Sequence, residues 1–333
     1  MFPFIVRRLI HLIPTFLGAT LLAFFITQLV PGDFFVQRSL EPNVRPETLQ
    51  MLRERFALDQ PAHVQYVRWM GNLLRGDLGM SFDSNQPVIN LIRRPIQNSM
   101  ILVVISLILL YVMAIPLGVY SAVRQYSLGD QVVSTVSYFG LAIPNFFFAL
   151  VLILLIFYLR GFTREVFDYN QLLFPVAQMT SNNHQQLSAW GRFWDIMWHA
   201  IIPAFVVATS GIAGFTRILR GQMLEFLQSD FIRTARAKGL NERAVTYKHS
   251  LRPALIPFVA GIGGLLPALI GGAGLVEIVF AWPGITPILL SSISRQDIYV
   301  VLAFLIVSSL LLMVGNLISD LLLAVVDPRI RYS

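Results

Sequence analysis

Six apolar runs, separated by polar stretches, dominate the pattern of this 333-residue chain. They cover residues 9–30, 99–123, 131–159, 199–218, 255–280 and 298–326. A helix needs about 20 consecutive apolar residues to cross the hydrocarbon core of a bilayer, and each run is about that long or longer. The pattern therefore predicts an all-α integral membrane protein with six transmembrane helices.

Proline and glycine mark irregular positions inside three of these runs. Pro116 interrupts the second run, and Pro144 with Asn145 interrupts the third. Such breaks are tolerated where neighbouring helices or a wet cavity satisfy the freed backbone groups. Each break is consistent with a static kink and with a hinge that lines a translocation path. Asn145 is therefore a candidate residue of such a path. The glycines of the fifth run, including Gly271, fit either close helix packing or a pivoting span.

The polar residues 32–94, between the first two runs, predict a partly helical loop domain. One helix is expected to start at Pro46. A second is expected after Pro61, with Val64 and Val67 at helical spacing. The segment is too polar to enter a bilayer, so it lies on one side of it.

Composition agrees with a membrane protein and excludes several kinds of site. Hydrophobic residues make up 56% of the chain and charged residues 13%, against about 25% charged residues in a soluble domain. There is no cysteine, which excludes disulfides and thiolate metal sites. The net charge is +7, but the basic residues cluster at the ends of apolar runs, which indicates membrane topology rather than nucleic-acid binding.

The distribution of lysine and arginine predicts which segments are cytoplasmic. With both termini inside, thirteen of the 25 basic residues lie in cytoplasmic segments and four in the two shorter outer segments. Eight arginines follow the first span, but long loops weigh little in the positive-inside rule. We expect a cytoplasmic tail and retained first span over 1–31, an external loop domain over 32–94, a transmembrane core over 95–326 and a cytoplasmic tail over 327–333.

The loop over residues 219–254 is basic and amphipathic, and we expect it to be cytoplasmic. Ser229 or Asp230 can cap a short helix over residues 231–239, and Asn241 can cap a second helix. An ordinary solvated loop, a loop that lies on anionic lipid, and a docking surface for a partner protein all fit this pattern.

Four motifs of the chain also occur together in one family. They are RTARAKGL at 233–240, GAGLVEIVFAWPG at 272–284, LDQP at 58–61 and DPR at 327–329. The first resembles a variant of the EAA loop of ABC-importer permeases, although Arg233 stands where that family usually has glutamate. Together they resemble the dipeptide and oligopeptide branch of the binding-protein-dependent importers, and the resemblance covers nearly the whole chain.

The resemblance implies a type I ABC importer permease fold and a role as the membrane subunit of an ATP-driven importer of dipeptides or short oligopeptides. It implies a second homologous permease, two ABC ATPase subunits inside and a peptide-binding protein outside the cytoplasmic membrane. Glutathione and nickel complexes stay open as other solutes. The helix at 231–239 would be the coupling helix that receives motion from the ATPases. The coupling residues so implied are Asp230, Arg233, Ala235, Arg236, Ala237, Gly239 and Leu240.

The chain's own residues predict no catalytic, nucleotide or metal site. Its two lysines, Lys238 and Lys248, are followed by glycine and histidine, so the Gly-Lys-Ser/Thr sequence of a P-loop does not occur. ATP and magnesium are therefore expected on partner subunits. The five histidines share no metal-ligand spacing.

Two acidic residues inside the apolar runs are further candidates for the path. Glu277 fits a contact with a substrate amine or an arginine of the binding protein, and it fits a structural ion pair equally well. Asp320 favours a helix-to-helix hydrogen bond or a pair with a loop arginine over a substrate contact. Two other classes of protein stay open. A membrane-embedded hydrolase needs a Ser–His or paired-Asp arrangement at membrane depth, and a secondary transporter or channel would move its solute without an ATPase.

Overall fold

The structure, a computed structural model, describes residues 2–29, 59–167 and 174–326, and helices dominate these ranges. The α-helices are α1 Phe2–Leu29, α2 Ala62–Leu74, α3 Val88–Val123, α4 Leu128–Ala142, α5 Asn145–Phe167, α6 Ala189–Leu227, α7 Asp230–Ala237, α8 Leu251–Ala254, α9 Ile256–Val279, α10 Ile285–Ser294 and α11 Ile298–Val326. A short 3₁₀-helix covers His184–Gln186, and a π-helix covers Ala244–Ser250. The helix expected from Pro46 and the tail at 327–333 lie outside the described residues.

Five helical stretches in the described residues are long and apolar enough to cross a membrane. They are Val6–Gln28, Val88–Val123, Asn145–Glu165, Ala189–Leu227 and Ile298–Ala324. The helix α9 has 24 residues, of which Ile256–Leu265 forms a described apolar stretch that is shorter than a span. The chain is therefore a multi-pass membrane protein, and a sixth span stays a prediction for α9.

The third apolar run forms two helices, which confirms the interruption expected at Pro144 and Asn145. The helix α4 ends at Ala142, and Ile143 is extended, with φ −90° and ψ 123°. The helix α5 begins at Asn145. Pro144 explains the break, because a proline ring disfavours the helical conformation in the residue before it.

Pro116 does not produce the interruption expected in the second run. The helix α3 continues through it for 36 residues. Ala114 and Val119, on either side of this proline, are buried in hydrophobic clusters. Packing on both sides therefore holds the helical path, although proline removes one backbone donor.

The chain divides into two compact units, and the first comprises Met1–Gln97 and Gly284–Met313. The helix expected after Pro61 is confirmed as α2. Its Trp69 and Met70 are buried with Phe24 of α1 and Leu302 of α11. In this unit, one face of α2 from the polar segment therefore packs against the apolar helices α1 and α11.

The second unit comprises Asn98–Pro283 and Val314–Ser333 and is built around α6. The 39 residues of α6 rise about 58 Å, roughly twice the thickness of the hydrocarbon core. Its buried positions include Ala200, Ala204 and Ala208, whose small side chains allow neighbouring helices to approach closely. It packs against α4, α5 and α9.

One glycine of the fifth run supports the close-packing interpretation. A Cβ atom on Gly263 would lie 2.7 Å from the Cα atom of Asn316 on α11. The Ser319 hydroxyl reaches the Val259 carbonyl at 2.8 Å and the Ala260 carbonyl at 2.7 Å. A Cβ on Gly271 would meet nothing within 4 Å, so packing gives no reason for glycine there.

Candidate functional site

The short helix expected in the loop at 219–254, here the coupling loop, is present as α7. Ser229 occupies the N-cap position in an extended conformation, but its hydroxyl donates to the Phe226 carbonyl at 2.5 Å. Asp230 lies in the first turn, where a carboxylate interacts favourably with the helix dipole. Gly239 has φ +77°, a left-handed conformation that suits glycine at the end of a helix.

The two faces of α7 have opposite character. Ile232 and Ala235 are buried, and the helix packs against the segment at 244–250. Phe231 is 48% exposed and Leu240 is 41% exposed. Of the seven predicted coupling residues, six are exposed and Ala235 faces inward, so Ala235 anchors the helix rather than lying on its outer surface.

The arginines of α7 form ion pairs on the surface with carboxylates of the coupling loop. The Arg236 guanidinium makes two hydrogen bonds to Glu242, at 2.9 and 3.3 Å. The Arg233 guanidinium lies 3.3 Å from Asp230. All four side chains are well exposed, and exposed pairs of this kind contribute only about 0–1 kcal/mol. Their charges therefore remain accessible to a partner surface.

The second half of the coupling loop leads directly into the fifth apolar run. The cap predicted at Asn241 is confirmed, because its side-chain oxygen accepts a hydrogen bond from the Ala244 backbone at 2.7 Å. The π-helix over Ala244–Ser250 follows, and α8 connects it to α9 through a single non-helical residue, Leu255. The loop is thus almost continuous with α9.

A hydrophobic cluster joins both ends of the coupling loop to a third helix. Leu219 and Met223 of α6 pack with Ala254 and Phe258, and Val119 of α3 completes the contact. All five side chains are buried. Since close-packed interiors transmit displacement, a shift of the loop would move the ends of α3, α6 and α9 together.

A buried ion pair at the base of the loop was not recognised in the sequence. The Arg220 guanidinium donates to both oxygens of Asp130, each at 2.8 Å. Ser121 and the Tyr126 backbone also donate to this carboxylate. The Arg220 guanidinium holds the pKa of Asp130 well below its usual range. The signal available in the sequence was the Ser127-x-x-Asp130 spacing, which is typical of a helix N-terminus.

The four predicted path residues lie on three different helices. Asn145 begins α5, and its amide reaches the Val207 carbonyl at 3.5 Å. Glu277 is buried near the end of α9 and accepts a hydrogen bond from Ser99. Asp320 is partly buried on α11, and Gly271 lies in α9. Asn145 and Glu277 form hydrogen bonds with different neighbours, so a shared site for the four residues stays a prediction.

The end of α9 opposite the coupling loop carries further buried polar contacts. The Trp282 indole donates to the Asn98 carbonyl at 3.0 Å, and Trp282 is 1% exposed. We call this set the distal polar network, and it comprises Asn98, Ser99, Glu277 and Trp282. A separate, partly buried pair joins the Asp195 carboxylate to the His184 ring at 2.7 Å. In the part of the chain that the structure describes, no group of three His, Cys, Asp or Glu side chains is arranged to hold a metal ion.

Comparison with known proteins identifies the family. Residues 114–332 match the family described as the binding-protein-dependent transport system inner membrane component, and residues 1–96 match the corresponding N-terminal family. The chain belongs to this family. An oligopeptide transport system permease protein of Bacillus subtilis is 39% identical over 330 residues, which is 99% of each chain.

Two further relatives of this permease cover its full length. A di/tripeptide transport system permease protein of Pseudomonas aeruginosa is 36% identical over 100% of this chain and 99% of its own length. A dipeptide transport system permease protein of Escherichia coli K12 is 35% identical with the same coverage. These relatives therefore support the role of an ABC importer permease rather than that of a membrane-embedded hydrolase or a secondary transporter.

Proposed function

We propose that this permease translocates dipeptides or short oligopeptides across the cytoplasmic membrane as one subunit of an ATP-driven importer. Relatives that match its whole length carry names for oligopeptide, di/tripeptide and dipeptide transport. A homologous second permease would line the path with it, and an external binding protein would deliver the peptide. No nucleic acid takes part.

The proposed topology has six spans with both termini in the cytoplasm. The 24-residue α9 supplies the sixth span beside the five apolar helices, and the asymmetry of lysine and arginine supports the orientation. The coupling loop is then cytoplasmic. Residues 32–94 and the distal polar network face the outer side, where the peptide-binding protein docks.

The single observation that carries the coupling role is the outward face of α7. Phe231 exposes apolar surface there, and Leu240 does so just beyond the end of the helix. Arg236 lies between them in the sequence with its guanidinium accessible. Aromatic residues and arginine are enriched at the centres of protein interfaces. An ATPase subunit with a groove for this helix would bury Phe231 and Leu240. Its carboxylates would form new ion pairs with Arg233 and Arg236.

The proposed mechanism transmits motion from partner ATPases through the buried side of the loop. The partners bind ATP and magnesium, since this sequence has no P-loop. Their closure displaces α7, and the cluster around Leu219, Met223 and Phe258 carries the displacement to three helices. The helices then open the path outward, and hydrolysis resets it. Asn145, Gly271, Glu277 and Asp320 are the residues that we place along the path.

Reconstitution of the whole transporter tests this proposal. Vesicles that contain both permeases and both ATPases would be supplied with binding protein, ATP and a labelled dipeptide or oligopeptide. Phe231→Ser is expected to reduce uptake and ATPase association by more than tenfold. Leu74→Ser is the matched control, because Leu74 is also exposed but ends α2 in the external segment. Equal uptake by the two variants would contradict the docking role of α7.

A further inference from the structure

A polar cavity lies between α3, α4 and α6, beside the Asp130–Arg220 ion pair at the base of the coupling loop. Its volume is about 230 Å³. Five hydroxyl-bearing residues and two arginines line it: Ser121, Ser134, Ser137, Tyr138, Thr216, Arg217 and Arg220. The cavity therefore offers hydrogen-bond donors and positive charge.

The two arginines differ in how their charges are compensated. The Nε and Nη2 atoms of Arg220 both donate hydrogen bonds to the Asp130 carboxylate. The Arg217 guanidinium instead lies 5.1 Å from the centre of the Tyr138 ring. Within residues 59–167 and 174–326, no carboxylate pairs with Arg217. The cavity therefore carries one positive charge beyond its internal ion pair.

A buried hydroxyl in the same cavity also lacks a partner. Thr216 is 2% exposed, and its side-chain oxygen has no hydrogen-bond partner among the described residues. A buried polar atom without a partner is unfavourable. A bound group with acceptor oxygens would satisfy both the Thr216 hydroxyl and the Arg217 guanidinium.

An apolar groove continues from the polar cavity. Its volume is about 290 Å³, and it shares Val133 and Ser137 with the cavity. On α6 the groove contacts residues 205–213, whereas the cavity contacts residues 216–221. With about 1.5 Å of rise per residue, the groove extends about 18 Å from Arg217 to Phe205, away from the coupling loop.

We propose that the cavity and the groove together bind one anionic phospholipid. The phosphate contacts Arg217 and Thr216, and an acyl chain lies in the groove. Guanidinium forks match phosphate oxygens, and basic pockets between transmembrane helices suit anionic headgroups. In the proposed topology this lipid belongs to the cytoplasmic leaflet. A peptide fits less well, because its backbone amides would find no partners along an apolar groove.

The headgroup rather than the chain provides the selectivity of this site. Bilayer hydrocarbon is as apolar as the groove, so any lipid chain could enter it. The positive charge at Arg217 distinguishes an anionic lipid from a zwitterionic one. The site therefore predicts retention of phosphatidylglycerol over phosphatidylcholine.

The test measures lipid that stays bound to the complete transporter. The complex is equilibrated with vesicles of equal parts phosphatidylglycerol and phosphatidylcholine, purified in detergent, and its bound lipid is counted by mass spectrometry. Arg217→Ala is expected to reduce retained phosphatidylglycerol at least fivefold. Arg124→Ala is the matched control, because Arg124 is likewise exposed and lies 5.9 Å from the centre of the Tyr120 ring. This control is expected to retain the lipid.

A second pair of variants tests the groove. Val136→Trp would fill it, whereas Val112→Trp adds the same bulk at a valine of equal exposure, 64%, outside it. Only Val136→Trp is expected to lower lipid retention. Equal retention of both lipids, no effect of Arg217→Ala, or displacement by inorganic phosphate or a dipeptide would overturn the proposal. These measurements use no ATP, so they are independent of the transport assay.

Discussion

The surface of the coupling loop and the distal polar network use polar side chains in opposite ways. On α7, Arg233 and Arg236 form exposed pairs with nearby carboxylates. At the far end of α9, whose 24 residues span about 36 Å, Glu277 and Trp282 are both 1% exposed and hydrogen-bonded. Exposed pairs stabilise the fold little, whereas buried polar groups must be satisfied. One region is free to exchange partners, and the other holds a fixed geometry.

The Asp130–Arg220 pair sharpens this comparison, because Arg220 belongs to the coupling loop and yet binds a buried carboxylate. Asp130→Ala is expected to lower the free energy of unfolding by about 3 kcal/mol, since it leaves a guanidinium without its partner in a largely buried site. Thermal unfolding of the purified protein measures the change. Asp230→Ala removes an exposed carboxylate and is the control. Equal losses in the two variants would show that burial does not separate the two pairs.

The same carboxylate predicts a dependence of stability on pH. The pKa of Asp130 is lowered in the folded protein, first of all by its hydrogen bonds from Arg220. A lowered folded pKa stabilises the protein above the unfolded value of about 4, and this stabilisation is lost as pH falls through the folded value. The difference in stability between the native protein and Asp130→Ala should therefore shrink below about pH 4.

The distal polar network is tested at Trp282. Trp282→Phe removes the indole donor and leaves the buried Asn98 carbonyl without that hydrogen bond, so a loss of about 1–2 kcal/mol is expected. Trp190→Phe is the matched control, because Trp190 is 67% exposed. The same unfolding measurement applies. If both variants lose the same free energy of unfolding, the buried hydrogen bond of Trp282 does not stabilise the distal polar network.

Gly239 tests the backbone of the coupling loop rather than its charges. Gly239→Ala is expected to cost about 1 kcal/mol, because its φ of +77° suits glycine and strains alanine. Nothing crowds a Cβ atom at either Gly239 or Gly221. Gly221→Ala, inside α6, should therefore stabilise slightly. Opposite signs of the two effects would support the left-handed stop at Gly239.

The smallest effect on stability is expected at Arg236. Arg236→Ala should change the free energy of unfolding by less than about 0.5 kcal/mol, since its pair with Glu242 is exposed. In the proposed complex it should nevertheless weaken binding of the ATPase subunits several-fold, which surface-immobilised binding would measure. A large loss of stability without loss of binding would reverse the comparison between the two regions.

Local patterns predicted much of the fold and of the candidate site. Apolar periodicity placed α2, whereas capping residues and glycine placed the ends of α7 and the turn at Gly239. Each of these signals lies within one short segment of the chain. The cap at Asn241 was predictable for the same reason, because its acceptor lies only three residues from the donor. The family resemblance rested on motifs that are equally local.

Only the tertiary structure decided the features that depend on neighbours far away in the sequence. Packing let α3 pass Pro116, while the chain broke at Pro144. Ala235 is buried because α7 packs against the segment at 244–250, although an alanine side chain suits either face of the helix. Asp130 and Arg220 are 90 residues apart, so no local pattern could pair them. Burial and ion pairing depend on which helices become neighbours, and a one-dimensional pattern does not contain that information.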